Sequence, residues 1–408
     1  MQINSGAIVS AWQGSVINFS SKGRTTLDDY IINNASLITG TPTYTITVSA
    51  NQKSGTYKLA AKADDLEDVT MTIGNGTINF GQLTVDDGYL TYNNKTYRLV
   101  ESLGYLTLTI NSNKVKTVNF FDLDNNSISD IILRHDAGFC GAFLTDENGS
   151  VKWNDLTSVK KNIKILGTGK IYGTDDDGQD IFYQDDKYVG AWNVVDGKVT
   201  GYKNIMNVNA TTNVLGLGDF NGDGATDLLL RSTSGDLGFY GTDGTGWEYL
   251  IGLGKEWKIA AVGDLNGDGL DDTVVRHDAG FAGTFLTQKN GTVKWANLDT
   301  LAKDMTIVGT GDFNGDGVDD VLLQNKSNGW VGAWLVEDGS VDSFIGLCKN
   351  KNAIEQIADF NGDGIDDLRI RTDKGDIGVL YVKGADTTEW KYFQSVGKEW
   401  DTSFALIS

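Results

Sequence analysis

A nine-residue acidic loop returns along this chain at near-constant spacing. Asp219-Phe-Asn221-Gly-Asp223-Gly-Ala225-Thr-Asp227 recurs at Asp264–Asp272, Asp312–Asp320 and Asp359–Asp367, and in a weaker form at Asp122–Asp130. The pattern is D-x-[DN]-x-[DN]-[GS]-x-x-D. Apolar runs follow at once: Leu228-Leu-Leu-Arg231, Thr273-Val-Val-Arg276 and Val321-Leu-Leu-Gln324. A short apolar run after a Gly-rich turn reads as a strand of a hairpin, not as a helix. One further copy is degenerate. Lys170 stands where its first Asp belongs, and two extra residues intervene before Asp180. The unit is roughly 47 residues long and occurs six times. A period of this size signals a propeller, a solenoid or an array. Several short strands per unit, joined by Gly, Asn and Asp turns, favour four-stranded propeller blades.

A longer period lies over the shorter one. Arg134-His-Asp-Ala-Gly-Phe139 recurs as Arg276-His-Asp-Ala-Gly-Phe281, Val189-Gly-Ala-Trp192 as Val331-Gly-Ala-Trp334, and Gly254-Lys-Glu-Trp257 as Gly397-Lys-Glu-Trp400. The offset is about 140 to 143 residues, or three units. Duplication of a three-blade segment predicts six blades. The ending Thr402-Ser-Phe-Ala-Leu-Ile407 aligns with the strand before an acidic loop and is expected to pair with the first blade. A seventh blade built from N-terminal strands is the alternative, although those strands carry no loop.

The loop chemistry points to a hard cation. Side-chain oxygens at positions 1, 3, 5 and 9 can converge on one ion, and position 7 can add its carbonyl. Calcium takes six to eight oxygens at flexible geometry. The expected ligands are Asp219, Asn221, Asp223, Ala225 and Asp227; Asp264, Asn266, Asp268, Leu270 and Asp272; Asp312, Asn314, Asp316, Val318 and Asp320; Asp359, Asn361, Asp363, Ile365 and Asp367. Asp122, Asp124, Asn126, Ile128 and Asp130 form a weaker fifth set, because Asn125 and Ser127 stand where glycines are usual. Lys170 puts a cation where a carboxylate belongs, so metal is not expected there. The spacing separates these loops from an EF-hand, which has twelve residues and ends in Glu. The competing reading is a plain Asn-Gly or Asp-Gly hairpin turn without metal.

The D-x-N-G-D-G-x-x-D loop followed by a strand resembles the FG-GAP/VCBS repeat, the blade type of integrin alpha-subunit propellers and of many bacterial surface proteins. The resemblance covers about residues 112–408. It implies a calcium-binding β-propeller that is usually extracellular, with the matching residues of each loop as ligands.

Composition agrees. The formal net charge is −21. Five filled loops would bring +10 and leave about −11, so part of the acidity is a store of cation ligands. Nucleic acid and anionic membranes call for basic patches, which this balance argues against. The chain has two Cys, one Pro and 51 Gly. Cys140 corresponds to Ala282 in the duplicate and Cys348 to Met206, so neither reads as half of a fixed disulfide. No apolar run has membrane-spanning length, and no signal-peptide core follows Met1.

Residues 1–111 lack the loop. Tyr44–Val48, Tyr57–Ala60, Val69–Ile73, Gly88–Tyr92 and Tyr105–Ile110 alternate as short strands, with one helical turn expected within Leu27–Ile38. They predict an all-β module, either a sandwich or the end of a β-solenoid.

No zinc-protease helix, nucleophile elbow or phosphate-binding Gly loop is present. The two histidines, His135 and His277, occupy one duplicated position and read as turn structure. The chain is expected to be non-enzymatic. A propeller-type polysaccharide lyase or hydrolase is the less favoured alternative. Eight of the ten tryptophans form duplicate pairs: Trp153/Trp295, Trp192/Trp334, Trp247/Trp390 and Trp257/Trp400. Repetition favours packing roles for them. Trp330 has no duplicate and is the candidate ligand platform. The expected function is adhesion or ligand binding by a bacterial surface or secreted protein, as a monomer or part of a larger chain. The ligand would be a protein or glycan. A lectin-like module and a structural spacer are the alternatives.

Overall fold

The computed structural model describes residues 9–11, 15–20, 30–48, 55–66, 69–75, 79–85, 90–92, 95–102, 104–112, 121–126, 128–146, 149–171, 179–208, 213–383, 388–397 and 399–401. The expected closing segment Thr402–Ile407, Ser127 and residues 172–178 of the degenerate copy lie outside them. The described chain is all-β, with two short 3-10 turns at Ala35–Leu37 and Asp64–Leu66. It divides into two compact units, one built on Met1–Lys114 and the other on Val115–Asn314 and Val318–Ser408.

The larger unit holds six four-stranded antiparallel sheets among the described residues. Five are consecutive in the chain. The third, for example, orders Val214–Gly218, Asp227–Arg231, Asp236–Gly241 and Gly246–Gly252. The remaining sheet joins Ile131–His135, Phe139–Thr145 and Val151–Ser158 to Trp400–Asp401. In it Arg134 pairs with Asp401 and His135 with Trp400. Trp400 therefore stands where Trp257 stands in the duplicated half, at the head of a first strand. In each consecutive sheet containing a full loop, the acidic loop connects the first strand to the second.

The second strands are continuous apolar runs because both of their faces are buried. Leu228 and Leu229 lie within separate cores, one including Phe182 and the other including Val275. Ile131 and Leu133 of the first sheet share a core with Ile377 and Val379 of the last. A polar residue ends most of these strands and ties down the link to the next sheet. The Arg231 guanidinium donates to the carbonyls of Leu253, Gly254 and Trp257. Arg276, Gln324 and Arg371 make the corresponding bonds at the links that follow their sheets. Each such bond pins a carbonyl at the junction between consecutive sheets to the end of a buried strand.

Every sheet also covers a glycine of its third strand with an aromatic ring. A methyl group on Gly141, Gly238, Gly283 or Gly378 would collide with the indole of Trp153, Trp247, Trp295 or Trp390. These four indoles are partly exposed, yet each stands over backbone that has no side chain of its own. Tyr183 covers Gly190 in the second sheet, and Trp330 covers Gly332 in the fifth. Trp330 is half-buried and packs on the core containing Val321, Leu323 and Val336. That placement argues against Trp330 as an exposed platform. The ring has no duplicate in the sequence, but it has a counterpart in every sheet.

In the smaller unit, Val16–Ser20, Thr43–Thr47 and Thr70–Gly74 run parallel and in register. The offset is 27 residues at both steps, since Val16 pairs with Thr43 and Thr43's strand-mate Tyr44 with Met71. Phe19, Ile46 and Ile73 thus stack as one buried ladder. A second parallel pair joins Val9–Ala11 to Ile38–Gly40. Antiparallel sandwiches lack such coil-on-coil stacking. The strand Asn79–Thr84 then turns antiparallel, and Gly55–Ala61, Tyr105–Ser112, Lys95–Ser102 and Leu90–Tyr92 form a separate antiparallel sheet.

Candidate metal centre

The N-G-D-G core of each full loop is dictated by backbone geometry. Gly222 and Gly224 have φ of 80° and 81°, and the glycine pairs 267/269, 315/317 and 362/364 are alike. Only residues without a Cβ adopt this left-handed region freely. In the weaker loop Asn125 takes the first of these positions at φ 60°, which Asn tolerates better than most residues.

These turns wrap the chain around the first carboxylate. Asp219 accepts the Gly222 N–H at 2.6 Å and the Gly224 N–H at 2.9 Å. Asn221 accepts the Asp223 N–H, and Asp223 accepts the Ala225 N–H. Loops 264–272 and 359–367 repeat this pattern. The oxygens at positions 1, 3 and 5 are thereby held on one short arc.

The ninth carboxylate has a separate task. Asp272 is fully buried, and it accepts the Leu265 N–H of its own loop at 3.0 Å and the Thr287 N–H of the third strand at 2.8 Å. Asp130, Asp320 and Asp367 each bridge the same two places. So does Asp180 of the degenerate copy, through Ile171 and Val194. A carboxylate kept where the first Asp is lost is a structural latch.

The eighth residue also contributes, and the loop pattern leaves it unspecified. Its backbone N–H donates to the first-position carbonyl of the preceding loop: Gln179 to Asp122, Thr226 to Lys170, Asp271 to Asp219, Asp319 to Asp264, and Asp366 to Asp312. The sixth bond runs from Ser129 to Asp359, joining the last loop to the first. Asp271, Asp319 and Asp366 add a second contact, each accepting the N–H of the same first-position Asp at 2.7, 2.9 and 2.9 Å. The Asp-Asp doublets at 271–272, 319–320 and 366–367 were the available signal. So was the glycine before the first Asp. A methyl group on Gly218 or Gly311 would come within 2.8 Å of the clamping Asp side chain.

The electrostatics of these carboxylates are unfavourable without a counter-charge. Burial pushes Asp227 and Asp367 up to about 8, against the pull of their backbone donors. Burial likewise holds Asp130 and Asp272 well above the usual range, and neighbouring loop carboxylates add to it. In the weaker loop, oxygens of Asp122, Asp124 and Asp130 lie within 4.8 Å of one another. Asp124 Oδ1 is buried there without a hydrogen-bond partner. An all-oxygen donor set, crowded anionic charge and an unpaired buried oxygen fit a hard divalent cation such as calcium. Such an ion would supply charge neutralisation and cross-linking of each loop.

His135 and His277 each accept the N–H two residues on, at 2.9 and 3.0 Å, through Nδ1. Each ring meets Trp400 or Trp257 edge-on. Both cysteines are free.

Residues 219–275, which contain two of the loops, match the model of the FG-GAP-like repeat. That segment of the chain carries the FG-GAP-like repeat. None of the curated proteins matches it in sequence. Among solved structures, it is similar to a chain of the Photorhabdus luminescens Tc holotoxin pore, with 14% identity and a TM-score of 0.42 over 79% of this chain. It spans 16% of that toxin chain. It is also similar to Kluyveromyces lactis Hsv2, with 13% identity, a TM-score of 0.36, and coverage of 63% of this chain and 76% of that one. BBS1N, from a complex with ARL6DN, has 12% identity, a TM-score of 0.38, and coverage of 69% and 86%.

Proposed function

We propose that the FG-GAP-like repeats form a six-bladed propeller stapled by calcium, serving adhesion or ligand binding in a secreted or cell-surface bacterial protein. The observation that carries this reading is the succession of inter-loop bonds, which passes through all six repeats and returns from Asp359 to Ser129. Pairing of Trp400–Asp401 with Ile131–His135 supports the same closure. The acidic loops then share one rim, and their cations are structural. Calorimetric titration of chelator-treated protein with calcium should give four ions per chain, or five if Asp122–Asp130 fills. Fewer than three would overturn the reading.

A second reading, glycan binding, has its own support. A cleft of about 570 Å³ lies at the ends of strands far from the loops, lined by Phe139, Trp153, Asp155, Thr157, Ser158 and Trp400. The Trp153 Nε1–H donates to Asp155 at 2.8 Å, fixing a carboxylate beside a partly exposed indole. A pyranose ring can stack its C–H face on such an indole and donate its hydroxyls to such a carboxylate. Glycan-array binding should be lost in Asp155→Ala with the urea midpoint unchanged. A wild-type protein that binds no sugar would sink this reading.

A further inference from the structure

The four full loops are joined to one another differently from the rest. At their three junctions the eighth-position residue is Asp271, Asp319 or Asp366, and each grips the preceding first-position Asp by both its N–H and its C=O. Both junctions of the weaker loop lack this grip. The Ser129 hydroxyl and the Gln179 side-chain oxygen make no hydrogen bond, leaving the backbone contact. At the remaining junction Thr226 accepts the Lys170 N–H, but the repeat at Lys170 is the degenerate one.

The grip connects ligand to ligand. Asp264 organises its own loop through Gly267 and Gly269, while its N–H is held by Asp319. Asp319 is bonded in sequence to Asp320, which latches the next loop through Phe313 and Val336. Ordering of one first-position carboxylate therefore constrains the ninth-position carboxylate of the following loop. We infer that Asp271, Asp319 and Asp366 are positioning residues that couple the loops, so that those at 219, 264, 312 and 359 take up calcium as one cooperative block. The loop at 122 fills independently. This rests on reading the loops as cation sites.

Coupling between sites is typically about 5–150-fold in affinity. Titration of the intact, chelator-treated protein with calcium alone should show one steep phase of four ions with a Hill coefficient of about 2 or more. Asp319→Ala should bind as many ions with a shallower curve and about tenfold weaker midpoint, because the block divides into two pairs. Asp319→Asn keeps an acceptor oxygen and should stay steep, and Ser129→Ala should match wild type. If Asp319→Ala does not fold, Asp268→Asn gives the same information. It removes a carboxylate charge from the loop at 264 without touching a clamp, and should weaken uptake at 219 and 312 severalfold. A Hill coefficient near 1 in wild type, unchanged steepness in Asp319→Ala, or unaffected neighbours in Asp268→Asn would overturn the coupling. Absence of calcium uptake would overturn the cation reading itself.

Discussion

Calcium should raise the melting temperature of the metal-free protein by roughly 10–20 °C. A site that binds only the folded state stabilises it by about 1.4 kcal/mol when free ligand is about ten times Kd. Four sites give about 6 kcal/mol at that excess, and 1 kcal/mol shifts Tm by about 2–4 °C in a domain of this size. Differential scanning calorimetry with calcium and with chelator measures the difference. The gain should also depend on pH. Asp227 and Asp367 are raised to about 8 by burial in the metal-free fold, whereas in the unfolded chain they ionise near 3.9. Their folded form keeps a proton that the unfolded form has released. The contribution of these two groups to metal-free stability is therefore full below about pH 4 and is lost as pH rises toward 8. A bound cation favours the ionised carboxylates, so the calcium gain should widen across that window. An unchanged Tm at pH 7.5 on adding millimolar calcium would rule out a structural metal.

The second large effect concerns the degenerate repeat. Asp180→Ala should destabilise the protein by about 2–6 kcal/mol, because each buried donor left unpaired costs about 1–3 kcal/mol and two are released. Those donors are the amides of Ile171 and Val194. Calcium stoichiometry should not change, since Lys170 occupies the first ligand position. Urea unfolding in chelator reads the loss. A shift below about 0.5 kcal/mol, the usual size of a surface substitution, would show that the latch carries no weight. Equal destabilisation with loss of one ion would make Asp180 a ligand as well.

The repeats were legible in the sequence because one loop pattern and one strand pattern recur together. The segment expected to complete the first sheet, Thr402–Ile407, lies outside the described residues, and the pairing described there is made by Trp400–Asp401 just before it. The clamps at Asp271, Asp319 and Asp366 were less legible. Read one loop at a time, an eighth-position Asp is merely one more acid, and its partner lies about 50 residues earlier. The packing of Trp330 was hidden for a related reason. Sequence comparison aligned it by position along a strand, whereas the fold uses it by what it covers, and the outer strand of its sheet carries Phe344 where others carry Trp. In the N-terminal unit the alternation of Tyr44–Val48 and Val69–Ile73 identified strands correctly. Period-two alternation does not distinguish parallel from antiparallel neighbours, so the 27-residue stacking of Phe19, Ile46 and Ile73 stayed hidden.

The pairing of Arg134 with Asp401 has a kinetic consequence. As the chain emerges from the ribosome, the strand Ile131–His135 is made early, and its partner follows only after five other sheets. Until then one edge of Ile131–His135 stays open, with unpaired amides and carbonyls able to recruit a strand from another molecule. Contacts so distant in sequence are slow to form, and larger chains aggregate through such waiting edges. Expression conditions that slow encounters between nascent chains should therefore raise the yield of this protein more than conditions that merely stabilise its finished form.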